Sequence, residues 1–340
     1  MITEQVQSPE VQTAEPNTEA TTQAVAAPTA VAIAPATIPN SPVTLSVTTP
    51  TITPQECDCD NGNTAPAPPP TPIYSLGKIQ AAFPNTSLEK EFDAAAKAIG
   101  AQGPRDQLFY QVLSQGENID IARNICFIFQ IDSIDTYILK PRSFVELAQF
   151  ITALDVSLKT PLDRIIGIKG PLAPPEMCNG LQLPMVVVNN SLITNKSEFV
   201  GAIISAAEIS AAERSQVTSQ VSEVVAQSVL DMILGLTDNT GATDEYRAIN
   251  YLAVRDLWIY EITARMLAPD LTPGGFQGVY YLVGVTAQLA NVQGTRRIVN
   301  VIFQYRQRDT SQSAYWFTTV DVTGLYPFLV SKLAPYYPGP

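Results

Sequence analysis

Four short constellations in this sequence carry residue types that could do chemistry, and none includes a histidine, because the chain has none. Imidazole is the one side chain whose ordinary pKa lies between about 5 and 8. Its absence removes Ser-His-Asp triads, Cys-His dyads and HExxH zinc sites. Carboxylate pairs, Ser-Lys dyads and all-cysteine metal sites stay open. Cys57-Asp58-Cys59-Asp60 places two thiols and two carboxylates side by side, a set that could collect a soft cation. Its one-residue spacing is not the Cys-x₂₋₄-Cys of a structural zinc site, so no metal site is assigned.

The second constellation is the proline-rich stretch Gly170–Gly180, which lies between two apolar runs and ends in an Asn-Gly turn signal. It could present Glu176, Cys178 and Asn179 to a ligand, since loops between strands often bind. It reads equally as a stiff crossover with Cys178 as a small core filler. The third, Asp238–Ala253, joins a glycine turn to a helix start. Asp244 and Glu245 already occupy the positive end of that helix, so anion binding there is disfavoured and Arg247 is expected to pair with one of them. In the fourth, Arg296 and Arg297 precede a strand that Arg306 and Arg308 follow. These pairs could grip an acidic peptide bidentately, or act as strand-end charges that discourage edge pairing. The candidate binding residues are therefore Glu176, Cys178, Asn179, Arg296 and Arg297. No catalytic residue, metal or cofactor is assigned.

The elements that must hold these residues begin near Ile73. Periodicity predicts a short strand at Ile73–Ile79, then a helix from a capping-box pair at Thr86 and Glu89 through Ile99. Strands follow at Ile125–Ile131 and Thr136–Leu139, joined as a hairpin at Asp132-Ser133. Ser143 and Glu146 open another helix to about Leu154, which is expected to bury Phe144, Leu147, Phe150 and Ile151. Arg164–Ile168 and Leu183–Val188 read as buried strands. Ser197–Leu236 reads as helical, and one helix capped by Thr243 runs to about Leu267. Tyr280–Val285, Ile298–Tyr305 and Tyr315–Val322 are rich in β-branched and aromatic residues and fit an antiparallel meander. Strand and helix blocks are partly segregated, so the fold class is α+β, an antiparallel or mixed sheet packed with helices.

Composition divides the 340 residues in two. Residues 1–72 hold 13 of the 27 prolines, seven acidic residues and no lysine or arginine. Burying their mildly apolar segments would not offset the roughly 1–2 kcal/mol per residue needed to fix a backbone, so a disordered acidic arm is expected. The remaining residues hold 25 acidic against 20 basic side chains, and residues 73–337 are expected to form the α+β domain. Such a charge balance gives no global basic field for nucleic acid or an anionic membrane. No apolar run approaches the roughly 18 residues needed to span a bilayer, and the start MITEQVQSPE has no secretory pattern. A cytoplasmic location with reduced thiols is the expectation.

Several stretches together, in order, resemble one family, the carboxy-terminal domain of unknown function of the PatA and PatG cyanobactin maturation proteases. They are Tyr74-Ser75-Leu76-Gly77, Asp135–Pro141, Gly170–Gly180, Asp238–Arg255, Gly294–Phe303 and Asp321–Tyr337. The resemblance implies a cyanobacterial role in ribosomal cyclic-peptide maturation. In the family this domain follows a subtilisin-like protease domain; here the acidic arm stands in that place. The resemblance carries over no functional residue. Together with the missing histidine and the stiff Gly170–Gly180 loop, it points to a non-catalytic accessory or peptide-interaction module with a precursor peptide or maturation protease as partner; the charge balance and hydropathy give no nucleic acid or membrane partner. The alternatives are a peptide hydrolase using non-histidine chemistry through Glu176 or Cys178, and a structural, self-assembling homo-oligomer.

Overall fold

The structure is a computed structural model that describes residues 70–213, 222–268, 276–290, 294–310 and 312–337. The expected arm, with Cys57 and Cys59, lies outside the described residues up to 69. The first strand, β1 (Thr71–Ala82), begins two residues before the expected boundary and takes in Thr71 and Pro72.

β1 has two successive partners. Thr71–Gly77 pair antiparallel with β4 (Asp163–Leu172), and Lys78–Ala82 with β2 (Cys126–Ile131). The change of partner falls at Gly77, where an added Cβ would lie 2.1 Å from the Gln130 carbonyl oxygen; only glycine allows so close an approach. β2 turns into β3 (Ile134–Pro141) through Asp132 and Ser133, both at positive φ (45° and 64°), as a two-residue hairpin turn requires. β3 then runs parallel to β5 (Pro184–Leu192), and β5 runs antiparallel to β4. A parallel partner needs a crossover. Part of it is α4 (Phe144–Ala153), capped by the Ser143 hydroxyl, which accepts from the Val145 N–H.

The resulting order, β1-β2-β3-β5-β4, closes into a barrel. Phe127, Phe129, Tyr137, Leu139, Ile165 and Val186 alternate inward to fill it. The connection from β1 to β2 carries α1 (Thr86–Ala98), α2 (Arg105–Leu113) and α3 (Ile119–Asn124).

The second half packs α5 (Lys196–Glu213), α6 (Glu223–Leu234), α7 (Asp244–Arg255) and α8 (Leu257–Leu267) against a four-stranded meander. Its strands are β6 (Tyr280–Leu289), β7 (Ile298–Gln307), β8 (Ser313–Asp321) and β9 (Phe328–Tyr336). Val299, Val301, Phe303 and Tyr305 of β7 supply the sheet's side of this core, and Leu76 from the outer face of β1 joins it. The loop before α7 ties the halves together. Gly241, at φ 65°, accepts from the Tyr74 N–H at 3.0 Å, and Asn250 Nδ2 donates to the Tyr74 carbonyl at 2.9 Å. A side chain on Gly241 would meet that same carbonyl oxygen at 2.1 Å.

The α+β class stands, with four corrections to the elements. Asn85, not Thr86, caps α1, its side chain accepting from the Leu88 N–H. Phe144 is exposed and lies beneath the Arg123 guanidinium instead of in the core. The helix expected from Thr243 to Leu267 is two helices, broken at Asp256, whose carboxylate accepts from the Trp258 N–H to begin α8. Helices α2 and α3, and strand β9, were not foreseen. Among the described residues, no helix is long and apolar enough to cross a membrane.

Candidate functional site

The proline-rich loop after β4 folds back over the outer face of β2 and β3. Ala173 N–H donates to the Leu183 carbonyl at 2.9 Å, which closes the loop's base. Asn179 and Gly180 turn its tip at φ 50° and 86°, and the Gly180 N–H donates to the Pro175 carbonyl at 2.7 Å. Cys178 is bonded to Cys126 at the start of β2, Cα to Cα 5.9 Å, in a small buried cluster with Ile138 and Ala173. The expectations of reduced thiols and of a ligand-facing Cys178 are therefore corrected: the sulfur is buried and oxidised. Asn179 is exposed and serves the turn.

Glu176 does face a groove, of about 410 Å³. It is lined by Pro84, Asn85, Ser87, Leu88 and Glu91 at the start of α1, by Arg123 and Asn124 ending α3, and by Lys140 of β3 beside Glu176 and Met177. Burial holds the Lys140 ammonium below its ordinary pKa, and no carboxylate among the described residues lies within ion-pair distance of it. Arg123 stacks 4.7 Å over Phe144 and keeps only a loose, exposed pairing with Asp120 at 3.9 Å. The groove thus offers two cations and two carboxylates, with no ion pair between them among the described residues. In five-stranded Greek-key barrels the face of strands 2 and 3 and the β1–β2 and β4–β5 connections commonly carry oligonucleotides or oligosaccharides, and those connections wall this groove.

Residues 72–266, more than half of the chain, match the family described as PatG Domain, and residues 214–336 match PatG C-terminal. The chain belongs to the PatG-domain family. A solved structure, the PatG Domain of Unknown Function, shares the fold with a TM-score of 0.58. The match covers 78% of this chain and 98% of that one at 16% sequence identity. No curated protein matches the chain.

In this PatG domain the two arginines singled out before β7 are not brought to the groove. Arg296 grips Asp321 through Nε (2.8 Å) and Nη2 (2.6 Å), and Arg297 grips Asp244 through Nε and Nη2, both at 2.5 Å. Burial pushes against the Asp321 charge, yet hydrogen bonds from Thr323 and Arg296 hold its carboxyl below the ordinary range. β7 is a central strand, so the arginines neither guard an edge nor stand free for a peptide. They fasten the β7 entry to α7 and to the end of β8.

Sequence reasoning missed Lys140 and Arg123, because nothing local marks a lysine at a strand's end as half-buried and unpaired. The disulfide yields a prediction of its own. Replacing Cys126 and Cys178 by serine should lower stability by about 2 kcal/mol, the low end of the usual range, because the loop keeps its backbone bonds. Amide hydrogen exchange should quicken most at 173–183; uniform protection in the variant would show that the bond does not pin the loop.

Proposed function

We propose that this PatG domain is a non-catalytic peptide-interaction module of cyanobactin-type maturation. Its groove beside Lys140 and Glu176 holds a short peptide segment carrying both an acidic and a basic group. The observation that carries this reading is Lys140, a half-buried cation that has lost part of its hydration and gained no carboxylate in return. A ligand acid group supplies the missing partner, while Glu91 and Glu176 favour a neighbouring cation on the same ligand. Nucleic acid suits the groove less. The outward positions of β2 and β3 present no aromatic ring on which a base could stack, and the folded part carries net negative charge.

Titration of the full chain with precursor-type peptides by calorimetry and amide NMR tests this. The amides of Lys140 and Glu176 should shift, and Lys140→Met should weaken binding about tenfold, as expected for removing one partner of a partly desolvated charge pair. Unchanged affinity in Lys140→Met would refute the assignment.

A further inference from the structure

Among the described residues, the second half of β1 has only one strand neighbour. β4 begins at Asp163, opposite Gly77, so from Lys78 onward no strand of the described residues lies on the side of β1 away from β2. In an antiparallel ladder, both backbone groups of a residue point to the same side, and the side alternates along the strand. The Ile79 N–H points away from β2, because it donates to Asp163 Oδ2 at 2.9 Å. The Ile79 carbonyl and both backbone groups of Ala81 share that direction. The Asp163 carboxylate stands in for one bond of the missing strand. Among the described residues, no hydrogen bond accounts for the other three groups.

These groups border a cavity of about 270 Å³. Phe109 of α2, Ala153 and Leu154 at the end of α4, and Val156 and Leu158 beyond it make its apolar wall. The rim carries charges of both signs, but they are not equally committed. Asp155 accepts from the Ser157 N–H at 2.9 Å, and Asp106 lies in the first turn of α2, where the helix dipole favours it. Lys78 and Lys159 are exposed and have no ion-pair partner among the described residues. Ile79 is 1% exposed, so the reachable groups are those of half-buried Ala81. An edge donor and acceptor beside an apolar cavity is the arrangement used for strand addition, in which backbone bonds give affinity and a pocket selects a side chain.

We infer that this is a strand-addition site for an extended peptide. The peptide pairs through its backbone with half-buried Ala81, next to buried Ile79, seats an apolar side chain against Phe109 and Leu158, and sets a neighbouring carboxylate near Lys78 and Lys159. The site shares no residue with the Lys140–Glu176 groove and stands whether or not that groove binds peptide.

The blocked tetrapeptide acetyl-Ile-Glu-Val-Thr-amide is a direct probe on the full chain. Binding should shift the Ile79 and Ala81 amides in NMR and slow hydrogen exchange at Ala81, whose N–H gains an acceptor. N-methylation of the peptide amides should weaken binding about tenfold or more, and Glu→Gln in the peptide should weaken it about threefold and flatten its salt dependence. Ala81→Pro removes the open donor without touching the β2 ladder and should abolish the slowed exchange and most of the affinity. If that variant fails to fold, Val156→Asp, at a half-exposed wall position, should reduce affinity at least fivefold with the fold intact. The inference is overturned by equal affinity of the N-methylated peptide, by no shift at Ile79–Ala81 at millimolar probe, or by shifts confined to Lys140 and Glu176.

Discussion

Arg247→Ala should cost the fold about 3–5 kcal/mol, the range for removing one member of a buried charge network. Arg247 is 1% exposed. Its Nη1 donates to the Val322 carbonyl at 2.8 Å, and Nη2 to the carbonyls of Gly324 and, at 3.2 Å, Leu325. Asp244 Oδ1 lies 3.5 Å from Nη1, while the other oxygen of Asp244 takes Arg297. Burial lowers the Arg247 pKa below its ordinary value, with Asp244 opposing that shift and Arg297 adding to it. One planar fork therefore satisfies three carbonyls of the β8–β9 connection from the first turn of α7. Truncation strands the buried Val322 carbonyl at a cost of about 1–3 kcal/mol and leaves the Asp244 carboxylate without its buried partner, while the Gly324 and Leu325 carbonyls lie nearer solvent. Lysine cannot reproduce the fork, so Arg247→Lys should recover less than half of the loss. Arg297→Ala is the contrast: its own side chain is half exposed and buried Asp244 keeps Arg247, so a smaller loss of about 1–2 kcal/mol is expected. Urea unfolding of the three variants measures this. An Arg247→Ala loss no larger than that of Arg297→Ala would show that the fork is not what holds the connection.

The arginine network also shows where sequence reading stops. Thr243 as the cap of α7 and Arg247 as a partner of its first-turn acids follow from local spacing. That Arg247 is buried, and that Arg297 shares Asp244, depends on a strand beginning 54 residues after that aspartate in sequence. The same limit governs the fold. Alternation and turn residues mark β2, β3 and their hairpin, because those contacts are local. Closure of the barrel rests on β1 meeting β4 and β3 meeting β5, pairings between distant segments that leave no periodic signature. Nor is there a Gly or Pro at Asp256 to mark the break between α7 and α8; the break is made by an aspartate acting as a cap. Glu176 was found through the rigidity of its loop. Lys140 and the open edge of β1 were not, since one needs its neighbours' burial and the other needs the absence of a strand. Cys126 and Cys178, 52 residues apart, carry no sequence sign of being paired.

Asp163→Asn should stabilise the protein by about 4 kcal/mol at pH 8 and by only about 1 kcal/mol at pH 4.5. Asp163 is fully buried, with Oδ2 accepting from the Ile79 N–H and Oδ1 without a partner. Burial raises its pKa to about 7, against the opposing pull of the Ile79 N–H and the Lys78 charge. In the unfolded chain the same carboxyl titrates near 3.9. Between those values the native state holds a proton that the unfolded state has released, so stability falls as pH rises through the window from about 4 to about 7. A shift of about three units at about 1.36 kcal/mol each sets the size. Asparagine is neutral throughout and keeps an acceptor for the Ile79 N–H, so it removes the pH-dependent loss and preserves the bond. Asp163→Ala should differ in kind, losing that acceptor and with it about 1–3 kcal/mol even at pH 4.5, where the native carboxyl is already neutral. Other titrating groups are common to wild type and both variants, so the difference between their pH profiles in urea unfolding isolates this carboxyl. Parallel profiles for wild type and Asp163→Asn would mean that Asp163 titrates alike in both states, and that its carboxylate replaces a strand carbonyl at no electrostatic cost.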